Sequence, residues 1–215
     1  GIDFSNLELR ITGHYLSPLD GGSFVNKLLE KDLHSENQKA LGLSSRTDSK
    51  KFIFSYIYGA GDKKIGEIIS KDAGEVKRIR KNLEKNIPAL VSLKENVINA
   101  IRTKGFLRGL DGRQLTPRGE HSSLNTLIQS GGSIVVKQGT IIMNQLLEDA
   151  GFIRGKDAGM VLHIHDEMQF IVAEDKLKQF KEISKQIFKL TQDKLKLRVP
   201  LDGELKVGKN WSETH

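Results

Sequence analysis

The chain has 215 residues, 37% of them apolar and 28% charged, which is enough for one large domain or two small ones with a real core. It has no cysteine, which excludes a disulfide framework and a Cys-based zinc site, and no apolar run of the length a membrane span needs. A formal charge of +7 favours an anionic partner such as nucleic acid, and the opening Gly1-Ile2-Asp3-Phe4-Ser5 is not that of a signal peptide, so a soluble intracellular protein is expected.

Residues 2–4 read as a short strand without a lead-in, so its N-terminal neighbours are expected elsewhere, on a separate polypeptide or on an upstream part of the same chain. Ser5-Asn6-Leu7-Glu8 reads as a capping box, with Ser5 as N-cap and Glu8 reaching back, and opens a helix to about residue 16. A loop over 17–22 and a helix over 24–31 lead to Asp32-Leu33-His34. A helix over 45–57 ends at Gly59-Ala60-Gly61, and shorter helical patterns follow at 63–69, 73–86 and 88–102, the last with Pro88 in its first turn. Residues 105–118 read as a hairpin turning at Asp111-Gly112, and 120–150 as one long helix that Gly131 and Gly132 weaken. A β-hairpin over 160–172 has His165-Asp166-Glu167 at its tip. A helix over 174–193 and strands over 197–201 and 204–207 complete the chain. Few strands among many helices make the class α+β.

Two segments carry candidate chemistry. Arg46, Lys50, Phe54 and Tyr58 follow one another at intervals of four, so on a helix they drift by only about 40° per step and share one ridge of roughly 18 Å. Its first half can grip phosphate through a guanidinium fork and an ammonium, and its aromatic half can pack on a sugar or a base. An amphipathic helix with ordinary surface charges accounts for the same spacing. Asp166 at a hairpin tip and Asp3 on a strand become a pair of Mg²⁺ ligands if the two strands are neighbours, and two metals held so stabilise both oxygens of an in-line displacement. A solvated turn is the alternative for Asp166-Glu167. His163 and His165 alternate on a strand, which fits a transition metal or simple hydrogen-bonding histidines. Asn125 and Gln129 share a helix face and can read minor-groove acceptors, or merely line a polar surface. The basic run of residues 77–81 is read as a solvated helix face, with DNA contact as the other possibility.

In this order the pieces resemble the family A, or polymerase I-like, DNA polymerases, and most of all the replicative enzymes of short-tailed lytic phages. The likeness rests on Asp3-Phe4-Ser5-Asn6-Leu7-Glu8, on Asp32-Leu33-His34, on Arg46, Lys50, Phe54, Tyr58 and Gly59, on Leu110-Asp111-Gly112-Arg113, on Asn125 with Gln129, on His165-Asp166-Glu167 and on the ending Gly208-Lys209-Asn210-Trp211 with His215. It implies a right-hand fold with helical fingers (16–125) and an antiparallel β palm (1–15 and 126–215), without the thumb and exonuclease domains, which a separate or upstream polypeptide would carry. It also implies DNA-directed DNA synthesis on primer-template DNA with dNTPs, in the cytoplasm of a bacterial host if the source is a phage. Asp3, Asp166 and the Phe4 carbonyl would hold two Mg²⁺ ions, with Glu167 in support. Glu8 would gate the sugar. His34, Arg46 and Lys50 would hold the triphosphate, with Lys50 also protonating the pyrophosphate. Phe54 and Tyr58 would pack on the nascent pair, and Arg113, Asn125, Gln129 and His165 would touch DNA. Single-subunit RNA polymerases share this palm but lack the Glu at the position of Glu8 and usually follow His-Asp with Ser, so Glu8 and Glu167 favour DNA synthesis. Two readings of other classes are a non-catalytic module that binds DNA or holds a subunit, and a metal-dependent phosphohydrolase built on His-x-His-Asp.

Overall fold

The computed structural model describes residues 1–30 and 32–215. In chain order the elements are β1 (Ile2–Phe4), α1 (Leu7–Asp20), α2 (Ser23–Glu30), α3 (Leu33–Leu41), α4 (Arg46–Ile57), α5 (Asp62–Ile69), α6 (Ala73–Asn86), α7 (Pro88–Lys104), β2 (Leu107–Arg108), β3 (Gln114–Leu115), α8 (Ser123–Asp149), β4 (Ala158–Ile164), β5 (Glu167–Val172), α9 (Leu177–Ser184), α10 (Gln186–Leu195), β6 (Gly203–Leu205) and α11 (Trp211–Thr214). This is an α+β fold. The chain forms two compact units, one of residues 1–11 and 130–215, the other of residues 12–129.

The first unit is built on a four-stranded sheet of order β4-β5-β1-β6 with antiparallel pairs throughout. Side chains alternate across a strand, so Ile2 and Phe4 leave β1 on one face and Asp3 on the other. Ile2 lies opposite Met168 and shares its buried face. The Phe4 ring meets Phe188 edge-on at 5.1 Å, and a Cβ on Gly139 of α8 would stand 2.9 Å from that ring, so glycine there lets helix and sheet approach closely. The β4 edge leaves Met160, Val161 and Leu162 exposed.

In the second unit, α4 is set by its ends. Ser45 accepts from the Asp48 amide at its N-terminus, and Gly59, at φ 79°, ends it where a Cβ would strike the His121 carbonyl at 1.9 Å. Phe52, Ile53 and Tyr56 are its buried face. The hairpin expected at 105–118 is present as β2 and β3, two residues each, turning through Gly112 at φ 82°.

Several expectations need correction. Helix α1 opens at Leu7, after Asn6 in the left-handed region (φ 53°), and the Ser5 amide that a capping box would give to Glu8 donates to the Asp202 carbonyl at 3.0 Å. The same helix continues through Pro18 to Asp20, over part of the expected loop. Helix α3 was not expected at all. Its ends are nonetheless marked, by the Asp32 side chain capping the His34 amide and by Gly42 at φ 68°. Lys31, where the preceding helix was expected to end, lies outside the described residues. The helix expected at 174–193 is a short 3-10 turn followed by α9 and α10, interrupted at Lys185 next to Ser184, whose hydroxyl bonds back to the Phe180 carbonyl. Residues 197–201 form no strand. Leu197, Val199 and Leu201 are buried in alternation, but the Pro200 carbonyl is taken by Arg10, and β6 comprises Gly203–Leu205.

Candidate active site

Antiparallel pairing of β1 with β5 and β6 sets Asp3 opposite Glu167 on one side and Glu204 on the other. Opposed residues project from the same face of a sheet, so three carboxylates stand in a row. A fourth, Asp166, occupies the turn between β4 and β5, and its backbone carbonyl accepts the Phe4 amide at 3.0 Å. The strands that the sequence leaves 163 positions apart are therefore neighbours, and Asp3 and Asp166 come together. Burial first, then the charges of Asp166, Glu167 and Glu204, push the Asp3 carboxyl above its ordinary value, with Lys206 pulling it down. Among the described residues no cation stands within ion-pair distance of Asp3 or Asp166. Like charges opposed on a sheet cost stability, and a cation bound among them relieves that cost. Among the described residues no group of three or more His, Asp or Glu side chains is arranged to hold a metal by itself. The pair fits an ion of the Mg²⁺ kind, which takes one or two carboxylates and fills its shell from water and substrate phosphate.

Glu167 differs from its neighbours in being only 5% exposed. It accepts from the Gln169 amide, from Trp211 Nε1 at 3.1 Å and lies 2.6 Å from His215 Nδ1. Burial alone would raise its pKa, but the hydrogen bonds from Gln169, His215 and Trp211 outweigh burial and hold the carboxyl below its ordinary value. Glu8 is half-buried in the first turn of α1. His165 is exposed and left-handed (φ 51°) at the first position of the turn. It has left the strand, so the alternation that would align it with His163 does not hold.

In the second unit, α4 presents the ridge that its spacing predicts. Arg46 and Lys50 are exposed, Phe54 is half-buried, and Tyr58 is exposed just past the last helical residue. Arg46 is engaged, with Nε 2.5 Å from Asp32 Oδ2. Hydrogen bonds from Arg46 and Ser35 hold the Asp32 carboxyl far below the usual carboxylate range. His34, on α3, is buried, and its ring lies 6.0 Å from that of Phe54, which lies 6.1 Å from that of Tyr58. Burial and the Arg46 charge push the His34 imidazole below its ordinary value; Asp32 opposes this and Lys50 adds to it. Its Nδ1 has no hydrogen-bond partner among the described residues.

The remaining candidates also lie in the second unit. Gln129 donates to the Tyr58 hydroxyl at 3.3 Å, which ties it to the ridge. Asn125, one turn earlier on α8, has a buried Oδ1 without a partner among the described residues. Arg113 sits at the β2–β3 turn, paired with Asp111 at 2.6 Å. Of the basic run, Lys77, Arg78 and Lys81 are exposed, and Arg80 pairs with Asp62 at 2.6 Å.

Sequence reasoning missed the partners more than the candidates. Asp32 as the anion on Arg46, Arg10 as the cation gathering the Ser5 and Pro200 carbonyls, and Gln169 beside Glu167 were not singled out. Arg10 alone left a signal, as a charged residue among buried Leu7, Leu9 and Ile11.

The first unit thus carries Asp3 and Asp166 at an antiparallel sheet, and the second carries a helix with a cationic and aromatic ridge. The POL domain of Pol1 from M. smegmatis, solved with DNA primer-template and dNTP, superposes with a TM-score of 0.85 over 99% of this chain and 40% of that one, at 20% identity, which establishes the fold. The model of DNA polymerase family A matches residues 1–213, and the chain belongs to that family. It is 32% identical over 232 residues to the DNA-directed DNA polymerase of Enterobacteria phage T3 and 32% identical over 232 residues to that of Escherichia phage T7. In both comparisons 100% of this chain is covered and 33% of the relative, so the chain spans a third of the length of these curated relatives.

Proposed function

We propose that the chain is the catalytic part of a DNA-directed DNA polymerase of phage DNA replication, adding dNTPs to a primer 3′-hydroxyl by two-metal phosphoryl transfer. The observation that carries this reading is the approach of Asp3, on β1, to Asp166, in the turn that leads into the neighbouring strand β5, with no cation against them among the described residues. Two Mg²⁺ ions, when bound, would neutralise charge on the attacking and leaving oxygens. Asp3, Asp166 and the Phe4 carbonyl would hold them. The primer 3′-hydroxyl would give its proton to solvent as its oxygen bonds to the α-phosphorus and the bond to the bridging oxygen breaks, and pyrophosphate would leave with a proton from Lys50. Arg46 would exchange Asp32 for phosphate oxygens, joined by Lys50 and His34, and Phe54 and Tyr58 would pack on the nascent pair. Arg113, Asn125, Gln129 and His165 would contact the primer-template. In this reading the first unit is palm and the second is fingers.

The part of the relatives' length outside this chain supports an upstream or separate polypeptide carrying thumb and exonuclease, and the exposed apolar β4 edge supports its being covered by such a part. A bacterial host cytoplasm is the corresponding location. No helix among the described residues is long and apolar enough to cross a membrane.

The test is single-nucleotide primer extension by the complete polymerase. Extension with dNTPs is expected only with a divalent cation present. Phosphate release from dNTPs without primer extension would favour the phosphohydrolase instead. In the same assay Glu8→Ala is expected to raise rNTP use relative to dNTP use, because a carboxylate beside C2′ leaves no room for a hydroxyl. An unchanged ratio would remove Glu8 from sugar selection.

A further inference from the structure

The turn that carries Asp166 is held from one side by a short segment of chain, residues 211–215. Glu167, next to Asp166 and opposite Asp3, takes hydrogen bonds from Trp211 Nε1 at 3.1 Å and from Gln169, and stands 2.6 Å from His215 Nδ1. Gln169 is oriented from both ends. Its Nε2 donates to Glu167 and its Oε1 accepts the Thr214 hydroxyl at 3.0 Å. Turning the amide over would set its oxygen against a carboxylate and its NH₂ against a hydroxyl that also serves two carbonyls.

The segment is shaped for this contact. Four residues of helix have little stability of their own. Helix α11 is braced instead by Glu213, which accepts from the Lys209 amide and the Asn210 side chain, both at 2.8 Å. A Cβ on Gly1 would stand 2.6 Å from Gln169 Nε2 and 2.7 Å from the Thr214 carbonyl, so the start of β1 closes on the same pair. Trp211 is 46% exposed, too open to act chiefly as core. Its distinctive contribution is an N–H delivered to a buried carboxylate, which needs such donors to remain charged where it is. From the other side the Phe4 amide holds the Asp166 carbonyl.

We propose that residues 211–215 form a clamp on the catalytic turn, in which Trp211, and Thr214 acting through Gln169, are positioning residues that fix Glu167 and thereby the neighbouring Asp166 carboxylate. With the clamp open, Glu167 is free to swing toward Asp3 and Asp166 and spoil their spacing. This inference rests on the polymerase reading of the site.

The experiment uses the complete polymerase with Trp211→Phe, which keeps a ring and deletes the N–H, and Thr214→Val, which keeps the shape and deletes the hydroxyl. Each is expected to lower kcat for single-nucleotide extension about tenfold, a loss of roughly 1.4 kcal/mol of transition-state stabilisation. KM for dNTP, primer-template affinity and the melting temperature should stay near wild type. Combined with Glu167→Gln, Trp211→Phe should add little, because both break one contact. A second readout needs no turnover. Trp211 is the single tryptophan of this chain, and the emission that Trp211→Phe removes should change as Mg²⁺ is titrated onto a complex with a chain-terminated primer and dNTP. Wild-type kcat in both variants, fully multiplicative effects with Glu167→Gln, or emission indifferent to Mg²⁺ would each overturn the clamp. Failure of the clamp is distinct from failure of the polymerase reading: an inactive Asp166→Asn beside fully active clamp variants sinks only the clamp, whereas an active Asp166→Asn sinks the polymerase reading.

Discussion

Asp166→Asn is expected to reduce primer extension by the complete polymerase by on the order of a thousandfold, while primer-template affinity at a fixed salt concentration changes little. In the proposed mechanism the substitution replaces a charged oxygen ligand with a neutral amide at the centre of a two-metal displacement. Losing about 4 kcal/mol of transition-state charge stabilisation corresponds to that factor. The change is local. The turn is tied to β1 through the Asp166 backbone carbonyl, which asparagine keeps, and the Asp166 side chain takes part in no hydrogen bond among the described residues. Removing one of the charges that crowd Asp3 should leave the melting temperature unchanged or slightly higher. DNA affinity is set mainly by cationic contacts with phosphates, which this substitution leaves in place. Extension within a few-fold of wild type would show that the paired carboxylates do not hold the catalytic metals.

Phe4→Ala is expected to produce the largest loss of stability, about 3–5 kcal/mol. Phe4 is 1% exposed, with its ring edge-on to Phe188 and seated over the bare Cα of Gly139. Truncation leaves a cavity that glycine cannot fill and that the sheet cannot collapse into without moving β1, the strand that carries Asp3. Against a typical net stability of about 5–15 kcal/mol this is a large fraction, and it should lower the melting temperature of the domain by roughly 6–20 °C. Phe4→Leu, which keeps most of the volume, should lose much less. The comparison is made by thermal or denaturant unfolding of the two variants. A Phe4→Ala loss below about 1 kcal/mol would mean that this face of β1 is not core.

The elements that were legible carry their instructions locally. Helix α4 has a capping serine at one end, a glycine with positive φ at the other and a four-residue spacing between, and its exposed ridge follows from that spacing. The β4–β5 hairpin shows an apolar run, a polar two-residue tip and a second apolar run. Elements that were misread depend on distant partners. Helix α3 is polar along most of its length, and its buried Leu33, Asn37 and Leu41 form a stripe only once neighbouring helices cover them. Residues 197–201 alternate as a strand does, but alternation requires only one buried face, and among the described residues no strand pairs with their backbone. The Ser5 amide goes to Asp202, nearly the whole chain away, so a correct local capping pattern lost to a tertiary bond.

By itself the sequence determined the α+β class, the helical ridge of Arg46, Lys50, Phe54 and Tyr58, the hairpin with Asp166 at its tip and the family likeness, because spacing, caps and turn residues act over a few positions. Only the tertiary structure decided which groups meet. The order β4-β5-β1-β6 set Asp3 between Glu167 and Glu204, and packing alone turned Asp32 onto Arg46 and residues 211–215 onto Glu167. A carboxylate's neighbours depend on strand order and register over long loops of chain, and the pattern of any one strand is compatible with several such pairings.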